Sequence, residues 1–146
     1  MSEANQTQVG GDHYRAEGLQ HWDLIDDYNI GYLEGCASKY VTRWRKKNGL
    51  QDLRKAAHYL RKLYEKRAAL GFNEQVELRP MVPAAVLAEF ARANGCGAEE
   101  TRILTLILRW ESTHTIDLAR RAVEALIAAE LADGSEASAG YVNQDR

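Results

Sequence analysis

Two apolar stripes separated by one tight turn constrain this chain more than any other feature. Leu33, Cys36, Ala37, Tyr40, Val41 and Trp44 recur at steps of three and four residues, the period of one helix face. Asn48-Gly49 follows, and glycine is the favoured residue just past a helix end. Leu53, Ala56, Ala57, Leu60, Leu63 and Tyr64 then form a second stripe that closes near Gly71. So short a turn leaves the two helices one arrangement, an antiparallel hairpin. A hairpin with a thin stripe cannot bury both of its sides. Either the helices beyond residue 83 or a second subunit must cover it, so a homo-oligomer is expected.

The rest of the chain reads as helices joined by polar turns. Residues 1–12 are polar with a Gly pair and read as a flexible start. A short helix fits Trp22 to Tyr28, closed by Asn29-Ile30-Gly31. Together with the hairpin it makes a helical domain over 13–70. Residues 71–82 contain Pro80, break the period and read as a linker. Pro83 can open a helix as its first residue, with Val86, Leu87 and Phe90 inward. Helices over 98–111 and from about Thr115 to Leu131 complete an accessory module at 83–132. The small, polar stretch 133–146 reads as a disordered tail. No strand-like alternation and no internal repeat is evident. The fold class is all-α: a helical hairpin core, a C-terminal three-helix module and flexible ends.

At 146 residues the chain can bury an ordinary core without metal or disulfide staples. Cys36 and Cys96 are too few for a disulfide framework or a four-ligand zinc site, which fits a reducing, cytoplasmic setting. No apolar run reaches the ~18 residues of a membrane span and no leader pattern opens the chain, so no membrane partner is expected. GxxxxGK[ST], GxGxxG, HExxH and GxSxG are all missing.

The net charge of −2 conceals a split. Lys39 to Arg67 holds eleven Lys and Arg against Asp52 and Glu65, whereas Gly71 to Arg146 holds seven Arg against twelve acids. Lys39, Arg43 and Lys46 share one flank of the first hairpin helix. Lys55, Tyr59, Lys62 and Lys66 share one side of the second. Such rows can bind phosphate, with a tyrosine stacking on a base. They can equally be a solvated face, or dock on the acidic half. Asp23, Asp26 and Asp27 share a helix side and could hold Mg²⁺ through water, Asp23 being the candidate ligand. Acids also simply favour a helix N-terminus. His13 is a candidate acid, base or phosphate donor, and Glu34 a lone carboxylate on the flank opposite Lys39. Trp44 and Trp110 sit in apolar stripes and read as core. A nucleic-acid partner is disfavoured by the sequence pI of about 6.1.

The strings Gly10-Gly11-Asp12-His13-Tyr14, Gly31-Tyr32-Leu33-Glu34-Gly35, Lys39-Tyr40-Val41-Thr42-Arg43-Trp44-Arg45-Lys46-Lys47-Asn48-Gly49 and Asp52-Leu53-Arg54-Lys55-Ala56 with Tyr59-Leu60 carry a resemblance. Over about residues 9–66 the chain resembles a small domain of tailed bacteriophages, often described as SaV-like, which includes a nucleotide kinase of a short-tailed coliphage. The resemblance implies phosphate transfer to deoxynucleoside monophosphates without a P-loop, using ATP and Mg²⁺, in the cytoplasm of an infected bacterium. It implies roles for Asp12, His13 and Glu34 in catalysis, and for Tyr14, Lys39, Arg43, Lys46, Lys55 and Tyr59 in holding the nucleotide. The chain departs from the pattern at Cys36, where Asn is usual, and at Ser38, where an aliphatic residue is usual. Without catalysis, the same face could sequester a nucleotide signal of the host's defence, or bind a nucleic acid or host protein.

Overall fold

The computed structural model describes residues 2–7, 18–71 and 81–137, without the side chains of 135–137. Among these residues the chain forms helices and no strands: α1 (Glu3–Gln6), α2 (His21–Asp27), α3 (Tyr32–Arg43), α4 (Leu50–Leu70), α5 (Ala84–Ala93), α6 (Ala98–Leu108) and α7 (Thr113–Ala137). The all-α expectation holds, and the three-helix module appears as α5 to α7.

The two stripes do what their periods imply. Ala37, Val41 and Trp44 of the first, and Leu53, Ala56, Leu60 and Leu63 of the second, are buried. They meet Leu24, Phe90, Ile103, Leu104, Ile107, Leu108, Trp110 and Ile116 in one core. Burying each Leu or Ile contributes roughly 1.5–3 kcal/mol, far more than the intrinsic helix preference of any residue. Helices α3 and α4 pack as a hairpin, α6 and α7 pack as another, and the two hairpins face each other through α3 against α6 and α4 against α7. The apolar face that seemed to need a second subunit is therefore covered by the chain's own C-terminal helices.

Three boundaries differ from expectation. The start is tied down: the backbone carbonyl of Asn5 accepts from Gln20 Nε2 at 2.9 Å, and its side chain bonds Asp23 and the Trp22 indole. Val82, assigned to the linker, is fully buried, and its N–H reaches the carbonyl of Leu108. Helix α7 runs on to Ala137, past the expected break at Asp133. Pro83 stands at the N-cap of α5 rather than inside its first turn. Residues 72–80 of the linker and 138–146 of the tail lie outside the described residues.

Two indole–carboxylate bonds join the hairpins. Trp110 Nε1 donates to Glu34 Oε2 at 2.9 Å, and Trp44 Nε1 donates to Glu100 Oε2 at 3.0 Å. Both acids are buried, at 4% and 3% exposure, and a buried carboxylate needs such partners. Arg45 Nε also donates to Glu100 at 2.7 Å, and Arg67 stands 3.9 Å from Glu34.

Candidate functional site

The hairpin turns a cluster of aromatics and cations to one flank. Tyr40 of α3 stacks on Tyr59 of α4, with ring centres 5.9 Å apart and 18° between planes. Tyr32 meets Tyr59 edge-on at 6.2 Å. Around the Tyr40 ring stand Lys39 Nζ at 4.9 Å, Lys55 Nζ at 5.3 Å and the Arg43 guanidinium at 4.8 Å. Aromatic faces attract cations, which is what holds three positive side chains so close together. The Tyr59 phenol is pushed up to about 12, first by its hydrogen bond with Tyr32, with Cys36 and burial adding to the rise. It therefore stays protonated and able to donate throughout the physiological range.

The cations around Tyr40 are not equivalent. Arg43 is buried and forks onto Asp52, Nε to Oδ2 at 3.1 Å and NH2 to Oδ1 at 3.2 Å. Asp52 is fully buried at the start of α4, so this pair pins the hairpin's turn. The expectation that Arg43 serves phosphate is corrected to that extent: its fork is spent on Asp52. Among the described residues no carboxylate pairs with Lys39 or Lys55. These two remain as the cations of the face.

Beside Lys39 lies an open cavity of about 340 Å³ whose walls include Trp22, Ile25, Ile30, Tyr32 and Cys36. Trp22 and Tyr32 are exposed at 52% and 74%, unusually wet for rings of that size. His21 also lines it. Its ring packs against Phe90 and its Nε2 lies 2.8 Å from Ser38 Oγ. The Ser38 hydroxyl already donates to the Gly35 carbonyl at 3.0 Å, so Nε2–H must be the donor to Ser38. Burial, with the nearby Lys39 charge, depresses the His21 pKa to about 4, which keeps the ring neutral.

Other expected site residues are placed elsewhere. Glu34 is not on an open flank. It points into the contact with the C-terminal module, bonded to Trp110, which leaves it no access to a ligand at the Lys39 flank. Lys46 reaches across the module boundary, its Nζ donating to the Asn94 carbonyl at 2.7 Å near the C-terminal end of α5. It thus serves as a helix-end cation, a role that suits Lys. Asp23 accepts from Asn5 Nδ2 at 2.6 Å, and among the described residues no three His, Cys, Asp or Glu side chains cluster to hold a metal ion. Asp12, His13 and Tyr14 lie outside the described residues. Trp44 and Trp110 are core, as expected, at 4% and 1% exposure.

The chain also uses residues that the sequence reading passed over. His21, Trp22 and Tyr32 gained no role there, although an exposed aromatic at each end of a short α2 is a readable signal. Ser38, noted only as a departure, is the hydrogen-bond partner of His21. Cys36, expected in the core, instead lines the cavity.

Among the described residues no helix is long and apolar enough to cross a membrane. A search of curated proteins and a search of solved structures each returned no match. Residues 9–61, which span α2, α3 and the first part of α4, match the model of a family described as protein of unknown function (DUF3310).

Proposed function

We propose that the protein binds a nucleotide, with phosphate at Lys39 and Lys55 and the base against the aromatic wall of the neighbouring cavity. The observation that carries this reading is the pair of ammonium groups held on either side of one tyrosine ring without a carboxylate between them. Nothing in the core asks for that arrangement, and an anion between them would relieve their repulsion. Tyr32, Tyr59 and Trp22 offer faces on which a base stacks, each such contact being worth ~1–3 kcal/mol. The 340 Å³ of the cavity suits a base and sugar, at the small end of ligand pockets.

Phosphoryl transfer from ATP–Mg²⁺ to a deoxynucleoside monophosphate, the activity that the phage resemblance implies, is the finer form of this reading. It works by positioning and charge neutralisation, which Lys39 and Lys55 can supply. It also needs acids at the metal and acceptor. With Glu34 committed to Trp110, those roles fall to Asp12 and His13 in the segment that precedes α2. Calorimetry with a panel of deoxynucleoside monophosphates and ATP–Mg²⁺ tests the binding reading. Micromolar binding that weakens at least tenfold in Lys39→Ala/Lys55→Ala is expected, and no heat with any member of the panel overturns it. A coupled kinase assay on the same panel then separates the forms. Turnover supports the kinase, and binding without turnover supports a protein that sequesters the nucleotide.

A further inference from the structure

We propose that α5–α7 is a second, diverged copy of α2–α4 that occupies the place of a partner subunit, so that the chain is a fused pseudo-dimer with one ligand face kept and one lost. A constant shift of 66 positions relates the two halves. Gly31, Glu34, Arg43 and Trp44 fall on Gly97, Glu100, Arg109 and Trp110. Farther on, Arg54, Ala56 and Leu60 fall on Arg120, Ala122 and Leu126.

Local geometry repeats at the same shift. Helices α2 and α5 end alike: Asn29 and Gly95 have φ of 55° and 71°, and the next N–H, of Ile30 or Cys96, bonds the carbonyl of Ile25 or Ala91 at 2.9 Å in each case. At the start of α3 and α6 the acid folds back on its N-cap glycine. A Cβ on Gly31 would meet Glu34 Oε1 at 2.8 Å, and one on Gly97 would meet Glu100 Oε1 at 3.1 Å. Burial follows the same register: Leu24, Ala37, Val41, Leu53 and Ala56 are buried, as are Phe90, Ile103, Ile107, Ala119 and Ala122.

The packing has the symmetry that a dimer would have. Helix α3 packs on α6 and α4 on α7, each element against its own counterpart. Trp44 bonds Glu100 while Trp110 bonds Glu34, so one residue pair is made twice with the halves exchanged. In a two-fold interface residue i meets j and j meets i, which is this pattern inside one chain. A helical module with no such ancestry has no reason to repeat the turn, the folded-back acid and the exchanged indole bond at one shift.

The ligand face did not survive the copy. Lys39, Tyr40 and Tyr59 fall on Thr105, Leu106 and Ala125, while Lys55 falls on a cation, Arg121. This part rests on the nucleotide reading above.

The test uses the full chain with Thr105→Lys, Leu106→Tyr and Ala125→Tyr, which rebuilds the face on the second half. The wild-type chain is expected to bind one equivalent from the monophosphate panel and the triple variant two. One equivalent in a folded triple variant overturns the lost face. No binding by the wild type removes the nucleotide reading alone. The pairing is then decided without ligand, by the indole N–H resonances of Glu34→Gln and Glu100→Gln. Glu34→Gln is expected to shift the Trp110 indole and leave Trp44 in place, and Glu100→Gln to do the converse. Shifts within the same half, or none, overturn the pseudo-dimer.

Discussion

Replacing Arg43 by Ala separates the structural cations of the hairpin from those of the ligand face. Two guanidinium nitrogens hold Asp52 at 3.1 and 3.2 Å, and Asp52 has no exposed surface. Without them the carboxylate keeps one long backbone bond, from the Asn48 N–H at 3.3 Å. Leaving one member of a buried pair uncompensated costs ~3–5 kcal/mol. The Arg43 stem also packs on Tyr40, and its loss opens the wall between α3 and α4. For a chain of this size each kcal/mol lowers Tm by about 2–4 °C, so a fall on the order of 10 °C is expected. By contrast, Lys39→Ala and Lys55→Ala remove side chains from an exposed flank, and each should stay within ~0.5 kcal/mol of wild type. Urea denaturation followed by circular dichroism reads all three from the midpoint at constant slope. Arg43→Met combined with Asp52→Leu should recover much of the loss, since an apolar pair of similar volume often matches a buried ion pair. The reasoning is refuted if Arg43→Ala melts within about 1 kcal/mol of wild type while losing nucleotide affinity, for Arg43 would then be a ligand contact and not a strut.

Further expectations follow from the same geometry. Trp110→Phe leaves Glu34 Oε2 with only Arg67 at 3.9 Å and should cost ~1–3 kcal/mol, whereas the double change with Glu34→Gln should cost less than the sum of the singles; denaturant midpoints of the cycle decide. His21 has a pKa near 4 when folded and 6.5 when free, so the unfolded chain binds the extra proton between those values. Stability should therefore be full above pH 6.5 and fall by up to about 3 kcal/mol towards pH 4, and His21→Gln should flatten the upper part of that slope. Glu100, whose pKa is lowered by bonds from Arg45 and Trp44 against the cost of burial, stabilises above the ordinary carboxylate range and adds its own loss only at lower pH. Lys46→Ala should fray the end of α5, seen as faster amide exchange around Asn94 with ligand affinity unchanged.

The helices were legible because each carries its own stripe, and the turn at Asn48-Gly49 because glycine marks it. Packing between halves was not. Glu34 reads as a flank residue on its own helix, and only the fold brings Trp110 to it. Likewise Arg43 and Lys39 look alike in a row of cations, yet Arg43 lies over the turn where Asp52 enters and Lys39 lies over the cavity. Tyr40 sits at a stripe position and reads as core, but the hairpin's crossing leaves its ring between two lysines. The duplication was hidden because Gly, Glu, Arg and Trp recur at its marked positions while most of the apolar positions between have changed identity and kept only their burial.

Amide and indole chemical-shift mapping with a bound deoxynucleoside monophosphate tests the central claim most directly. Perturbations centred on Trp22, Tyr32, Lys39, Lys55 and Tyr59, absent in Lys39→Ala/Lys55→Ala, are the result this account predicts. Perturbations centred on the α6–α7 hairpin, or none at saturating nucleotide, would contradict it.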